Sequence, residues 1–187
     1  LFEGKGKHDL AAGLYSSAYM QTDENEIVAI ELADHFKSIG NYTKAEVTLR
    51  DAIADGGSAE LYVALCQTFV EQNKLLDAVD MLDNISNPTI KAQLDEMRPK
   101  LPVNNAEPGF YSQYITVPLS DYEGTLYATT DGTFPSIDDE PSTGEFTLAG
   151  GENRIFALVL GENGLVSPLA IYGYTVGGVV EEVTLQD

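Results

Sequence analysis

The sequence predicts a two-domain α + β chain: an all-helical repeat of helix hairpins up to about residue 100, then an all-β sandwich from residue 109 onward. Three observations carry this. The stretch Phe36 to Ile53, FKSIGNYTKAEVTLRDAI, recurs in altered form 34 residues upstream and 33 residues downstream, and a fixed period of that size marks a helical repeat array. Pro99, Pro102 and Pro108 then rule out continued helix. Beyond residue 110 the apolar pattern changes to a period of two, which is the period of half-buried strands.

The repeat is legible position by position. Phe2, Phe36 and Phe69 correspond, as do Gly6, Gly40 and Asn73, and His8, Tyr42 and Leu75. Ala11, Ala45 and Ala78 match, then Tyr15, Leu49 and Leu82, then Ala18, Ala52 and Ile85. Upstream of each full copy stands an apolar series at helical spacing: Ala29, Leu32, Ala33, Phe36, and again Tyr62, Leu65, Cys66, Phe69. The elements follow in order. Residues 8–20 read as the second helix of a first repeat whose beginning lies upstream, so the chain is expected to be a piece of a longer protein. Asp23 is the expected cap of a helix over residues 26–39, which Gly40-Asn41 ends. A partner helix covers residues 43–54, and Asp55-Gly56-Gly57 turns the chain, with Ser58 as the next cap. Residues 59–72 and 75–84 repeat the pair, and Asn87-Pro88 stops it. A short amphipathic helix over 89–98, with Ile90, Leu94 and Met97 on one face, suits the terminal cap that a repeat array requires. These residues resemble the tetratricopeptide repeat, although the position that is Trp in that family is Ala29 in one copy and Tyr62 in the other, and Cys66 stands where Gly is usual. The resemblance implies a right-handed superhelix of helix pairs whose first helices line a concave, partner-binding groove.

Residues 101–108 read as a Pro-rich linker. In the β region, Ile115, Val117 and Leu119 alternate, then Phe146 and Leu148, then Ile155, Ala157 and Val159, then Tyr172, Tyr174 and Val176. Glycines and acids punctuate them at intervals that suit a small antiparallel sandwich. Between the first two runs stands Tyr127-x-Thr129-x-Asp131-Gly132-x-x-Pro135, preceded by Gly109-Phe110-Tyr111 and Val117-Pro118-Leu119-Ser120 and followed by Asn163-Gly164-Leu165-Val166-Ser167. That order resembles the Ig-like or fibronectin-like module at the C-terminus of chitobiases and beta-hexosaminidases, over residues 109–176. The resemblance implies an accessory role outside any catalytic domain, in a larger cell-surface or secreted bacterial protein. Val179 to Leu185 suits either a last edge strand or a tail.

Charge narrows the partners. Up to residue 100 nine basic residues face seventeen acidic ones, and beyond it Arg154 alone faces thirteen, giving −8 and −12 of the total −20. Such a surface repels phosphate backbones and anionic lipid, so neither nucleic acid nor direct membrane adsorption is expected; a membrane anchor elsewhere in the parent protein stays compatible. Cys66 is the one cysteine, so it forms no internal disulfide, and its place beside Leu65 and Phe69 suits a small buried residue at a helix crossing.

The expected function is that of a non-catalytic interaction scaffold binding a peptide or protein partner. With the core series removed, the inner surface of the first helices carries Ile27, Ile30, Asp34 and Lys37, then Val63, Gln67, Val70 and Glu71. Four β-branched aliphatics are unusual on a wet face, and partial cover by a peptide supports micromolar binding after ordering costs. Cover by the β domain or by an upstream helix explains the same side chains. The alternative is carbohydrate binding or adhesion through the sandwich, where Tyr172 and Tyr174 share a strand face; core packing accounts for the same rings. Asp131, Asp138, Asp139 and Glu140 are candidate calcium ligands, though an acidic solvated loop explains them equally. His8 and His35 are scattered and no Ser, His and Asp set or phosphate loop is present, so neither enzymatic activity nor a cofactor is expected.

Overall fold

The computed structural model describes residues 10, 13, 14, 17 and 25–177. The chain is mixed α + β, with five helices from Asn25 onward and two sheets after them. It divides into two compact units, Leu1–Arg98 and Pro99–Asp187. No described helix is long and apolar enough to cross a membrane.

In the first unit Leu10, Gly13, Leu14 and Ser17 are helical. The other repeat positions from Phe2 to Ala18 and the cap expected at Asp23 lie outside the described residues. The five helices are α1 (Asn25–Ser38), α2 (Tyr42–Ala54), α3 (Ala59–Glu71), α4 (Leu75–Asp83) and α5 (Pro88–Met97). Each falls within a residue or two of its expected span. Sequential neighbours from α1 to α4 pack on one another, and α1 also touches α3.

The 33-residue period reappears in the backbone. Gly40 has φ +74° and Asn73 φ +58°, both left-handed. At the first turn Gly40 N–H donates to Lys37 O and Asn41 N–H to Phe36 O, each at 2.8 Å. At the second, Asn73 N–H donates to Val70 O and Lys74 N–H to Phe69 O, each at 2.9 Å. Both turns thus end a helix by the same paired bonds to its last carbonyls. Burial follows the period too: Leu32, Ala33, Phe36, Ala45 and Leu49 are buried, and so are their counterparts Leu65, Cys66, Phe69, Ala78 and Leu82. The small residues at 33, 45, 66 and 78 let the helices approach, and burying each large one contributes about 1.5–3 kcal/mol.

Two local expectations differ from what is found. Ser58 has the extended backbone of a cap, but its hydroxyl makes no cap bond; the Oγ is turned inward and buried. In α5, which Asn87 caps through Oδ1 to the Thr89 and Ile90 amides, only Leu94 is buried and Met97 is 43% exposed. Arg98 takes the remaining inner position, with Nη1 2.6 Å from Asp83 Oδ1 at the end of α4.

The second unit holds β1 (Val103–Asn104), β2 (Gly109–Tyr111), β3 (Ile115–Ser120), β4 (Thr125–Thr129), β5 (Glu145–Leu148), β6 (Gly151–Leu160) and β7 (Ala170–Val176). One sheet has the order β1-β3-β5 and the other β2-β7-β6-β4. Both feed one apolar cluster, with Val117, Leu119 and Leu148 from the first and Leu126, Ile155, Ala157, Val159, Tyr174 and Val176 from the second. Gly124 (φ +122°) allows the entry to β4, since a Cβ there would collide with the Leu160 carbonyl oxygen.

The segment expected as a linker, residues 101–108, is part of this unit. Val103 and Asn104 pair with Ser120 and Leu119, and Pro102 is buried. The prolines stop helix, as expected, but proline is tolerated beside an edge strand, and β1 is an edge. After Pro108 the chain joins the other sheet, where β2 runs parallel to β7 with Gly109 opposite Tyr174. This parallel pair departs from the all-antiparallel pairing expected of the sandwich, because the alternating pattern of a three-residue strand carries no direction. Val179 to Leu185 lies outside the described residues.

Candidate functional site

The first helices of the two hairpins lie side by side, and an ion pair marks their alignment. Lys37 Nζ on α1 is 2.9 Å from Asp34 Oδ1 and 3.0 Å from Glu71 Oε1 on α3. Burial disfavours the Lys37 ammonium, but hydrogen bonds and attraction from both carboxylates outweigh it and hold its pKa above the ordinary value. Along the same stripe Ile27 is 58% exposed, and Ile30, Val63, Gln67 and Val70 are half-buried. Of the eight residues expected to line a groove, Asp34, Lys37 and Glu71 form a charged cluster, Ile27, Ile30, Val63 and Val70 are aliphatic, and Gln67 is polar and uncharged. What the spacing alone does not reveal is that Lys37 is shared between the two carboxylates, which leaves the trio one negative charge.

Behind this face the hairpins are fastened by a second polar knot. Glu46 of α2 accepts from Gln72 Nε2 at 2.7 Å and Lys74 Nζ at 2.6 Å. Burial alone would raise the Glu46 pKa, but those donors, with the charges of Lys74 and Arg50, bring it below the usual carboxylate value. Lys74 and Arg50 also lie over the Phe69 ring, 5.9 and 5.4 Å from its centroid. Cys66 is wholly buried beside Leu65 and Phe69, as expected of a residue at a helix crossing.

A cleft of about 370 Å³ opens elsewhere on the first unit, between α2 and α4. Ile53, Tyr62, Met81 and Ile85 give it apolar walls, and Arg50, Asp77 and Asp80 supply charge. The resemblance to a helical repeat points to the first helix of each pair, so the sequence does not single out this cleft, although Asp77, Asp80 and Met81 stand at helical spacing on α4.

In the β unit the tyrosines proposed as a sugar platform have another task. Tyr174 is 2% exposed, so no ring face is open to a sugar. Its hydroxyl accepts from Asn104 Nδ2 at 2.7 Å and donates to Ala106 O at 2.9 Å. The half-buried Tyr172 donates to Pro102 O at 3.1 Å, and Tyr111 to Glu107 O at 2.7 Å. Three hydroxyls therefore hold residues 102–107 in place. Burial raises the pKa of Tyr172, and burial also raises that of Tyr174, opposed by the Asn104 bond.

The acidic loop is likewise occupied with itself. Asp131 Oδ1 accepts from Thr133 N–H at 2.9 Å and Thr133 Oγ1 at 2.6 Å, and these bonds lower its pKa. Asp139 Oδ2 accepts from Ser136 N–H at 2.9 Å. Asp131, Asp138, Asp139 and Glu140 form no metal-sized cluster, and none exists among the described residues. Thr129 Oγ1 donates to Thr133 O, Pro135 is buried, and Phe134 meets Phe156 edge-on at 5.2 Å. The Tyr-x-Thr-x-Asp-Gly-x-x-Pro stretch thus folds the loop back against β6.

No protein-family model matches the chain, and no curated protein matches it. Among solved structures, a chain from the fibronectin(III)-like modules of Clostridium thermocellum CbhA is similar over 42% of this chain and 98% of its own length. The identity is 12% and the TM-score 0.31, a faint likeness.

Proposed function

We propose that the chain is a non-catalytic interaction scaffold, with a tetratricopeptide-like array that binds a peptide or protein partner along α1 and α3. The carrying observation is that Ile27, Ile30, Val63 and Val70 are exposed or half-buried on α1 and α3, two helices joined by the Lys37 contacts to Asp34 and Glu71. The matched turns at Gly40 and Asn73 support the repeat reading. For the second unit, a three-stranded and a four-stranded sheet around one core support an Ig-like sandwich acting as an accessory module. On the resemblance of that module, we extend the proposal to a larger cell-surface or secreted bacterial protein. A net charge of −20 favours protein over nucleic acid as partner. Glycan binding through Tyr172 and Tyr174 loses its support with the burial of Tyr174.

The test is peptide selection against the intact chain, followed by calorimetry of the best binder. Ile30→Asp and Val63→Asp should each weaken a micromolar Kd about tenfold, corresponding to about 1.4 kcal/mol, with circular dichroism unchanged. Equal affinity in folded variants rules out this face.

A further inference from the structure

We infer that the cleft between α2 and α4 is a second docking site, for a basic amphipathic segment of a protein partner. Tyr62 and Leu65 of α3 line it together with α2 and α4, but it shares no residue with the row Ile27, Ile30, Val63 and Val70. A volume of about 370 Å³ lies at the small end of ligand sites, which run from about 300 to 1,000 Å³, and has room for a side chain or two of a docked segment. Ile53 of α2, Tyr62 of α3, Met81 of α4 and Ile85 beyond α4 line it, and all four are half-buried.

Charge selects the occupant. Asp77 and Asp80 stand one turn apart on α4 and line the same wall. Asp80 Oδ1 accepts from Asn84 Nδ2 at 2.9 Å, while Asp77 has no hydrogen-bonded or ionic partner among the described residues. The cation that lines the cleft from α2, Arg50, is turned over Phe69 and lies in the field of Glu46. The open charge of the cleft is therefore negative. An apolar side chain seated between Ile53 and Met81 puts a neighbouring Lys or Arg, one turn along its own helix, against Asp77 and Asp80. The −20 net charge raises the encounter rate of such a segment but does not choose its landing place; the apolar walls do.

Fluorescence anisotropy at physiological salt tests this on the full chain. The probe is a fluorescein-labelled amphipathic helix of leucine and lysine, and its control is the same helix with glutamate for lysine. The wild type should bind the lysine probe only. Asp77→Asn with Asp80→Asn should raise its Kd about fivefold, two exposed charge pairs being removed. Met81→Glu should raise it about tenfold, whereas Glu31→Gln with Glu60→Gln, off the cleft but equal in charge, should leave it unchanged. If Met81→Glu unfolds the first unit by circular dichroism, the asparagine pair decides. Equal weakening by the Glu31/Glu60 pair reduces the effect to bulk charge and overturns the site, as does binding of the glutamate probe or no binding at all. Sedimentation showing a dimer that Met81→Glu disperses makes the cleft a self-interface, which also overturns the proposal. Because none of these residues lines the α1/α3 face, failure here leaves the Ile30 and Val63 test standing.

Discussion

Replacing Tyr174 with Phe isolates the hydroxyl that ties β7 to the start of the second unit. The ring, 2% exposed, keeps its packing against the core, while two bonds are lost, from Asn104 Nδ2 at 2.7 Å and to Ala106 O at 2.9 Å. At about 0.5–1.5 kcal/mol net for each bond the loss is about 1–3 kcal/mol. Asn104 and Ala106 are only half-buried, so water can reach them and the lower part of that range, about 1–2 kcal/mol, is expected. Hydrogen exchange read by mass spectrometry reports this locally. Amides of β1 and β2 should exchange about fivefold to thirtyfold faster, which is that energy expressed as an opening equilibrium, and the amides of α1 to α4 should be unaffected. Tyr172→Phe removes one bond, to Pro102 O, and should show the smaller half of the effect. Exchange within about twofold of wild type for Tyr174→Phe would refute the clamp. The pH dependence has a definite sign. Burial raises the pKa of Tyr172 and Tyr174 above the ordinary value of 10.0, so the clamp is at full strength below that pH and weakens as pH rises through the raised values.

Leu49 and Leu82 are repeat equivalents at 0% and 1% exposure; each Leu→Ala change should lower the first unit's stability by about 2.7–5.0 kcal/mol, read as a shift in the urea midpoint of the helical signal. A large difference between them would mean that the two hairpins are not packed alike. Gly40 has open space around a would-be Cβ, so Gly40→Ala tests backbone strain alone; it should cost about 1–2 kcal/mol, and Gly40→Asn, the residue found at position 73, distinctly less. The lowered pKa of Glu46 makes its contribution present above the ordinary value of 4.5 and lost as pH falls through the folded value. Urea midpoints at about pH 6 and about pH 3 should therefore converge in Glu46→Gln more than in wild type, and an identical acid sensitivity would assign it to other carboxylates.

The helices were legible because their signal is redundant: a 33-residue period, a left-handed residue after each first helix, and small residues at the crossings all specify the same boundaries. The strands of the long alternating runs, β3, β6 and β7, were legible for the same reason. What escaped was set by tertiary partners. β1 is two residues long and lies among prolines, so only its pairing with Leu119 and Ser120 reveals it. Tyr172 and Tyr174 fit a sugar platform and a core strand by the same alternation, and the choice falls to Pro102, Asn104 and Ala106, some 70 residues away in sequence. The gathering of carboxylates in the loop after β4 is compatible with calcium, yet Asp131 and Asp139 answer amides two and three residues from themselves, a local use that composition does not distinguish. The residues expected along a groove are legible as a stripe, but the sharing of Lys37 between Asp34 and Glu71 depends on α3 lying beside α1.

Binding along the α1/α3 face is tested most directly by backbone amide NMR of the intact chain titrated with a peptide selected against it. The largest shifts should fall on Ile27, Ile30, Val63, Gln67 and Val70, with Lys37 moving as its contact to Glu71 is covered and the amides of β3 to β7 still. Shifts confined to the second unit, or to Asp77, Asp80 and Met81 with α1 and α3 unmoved, would contradict it.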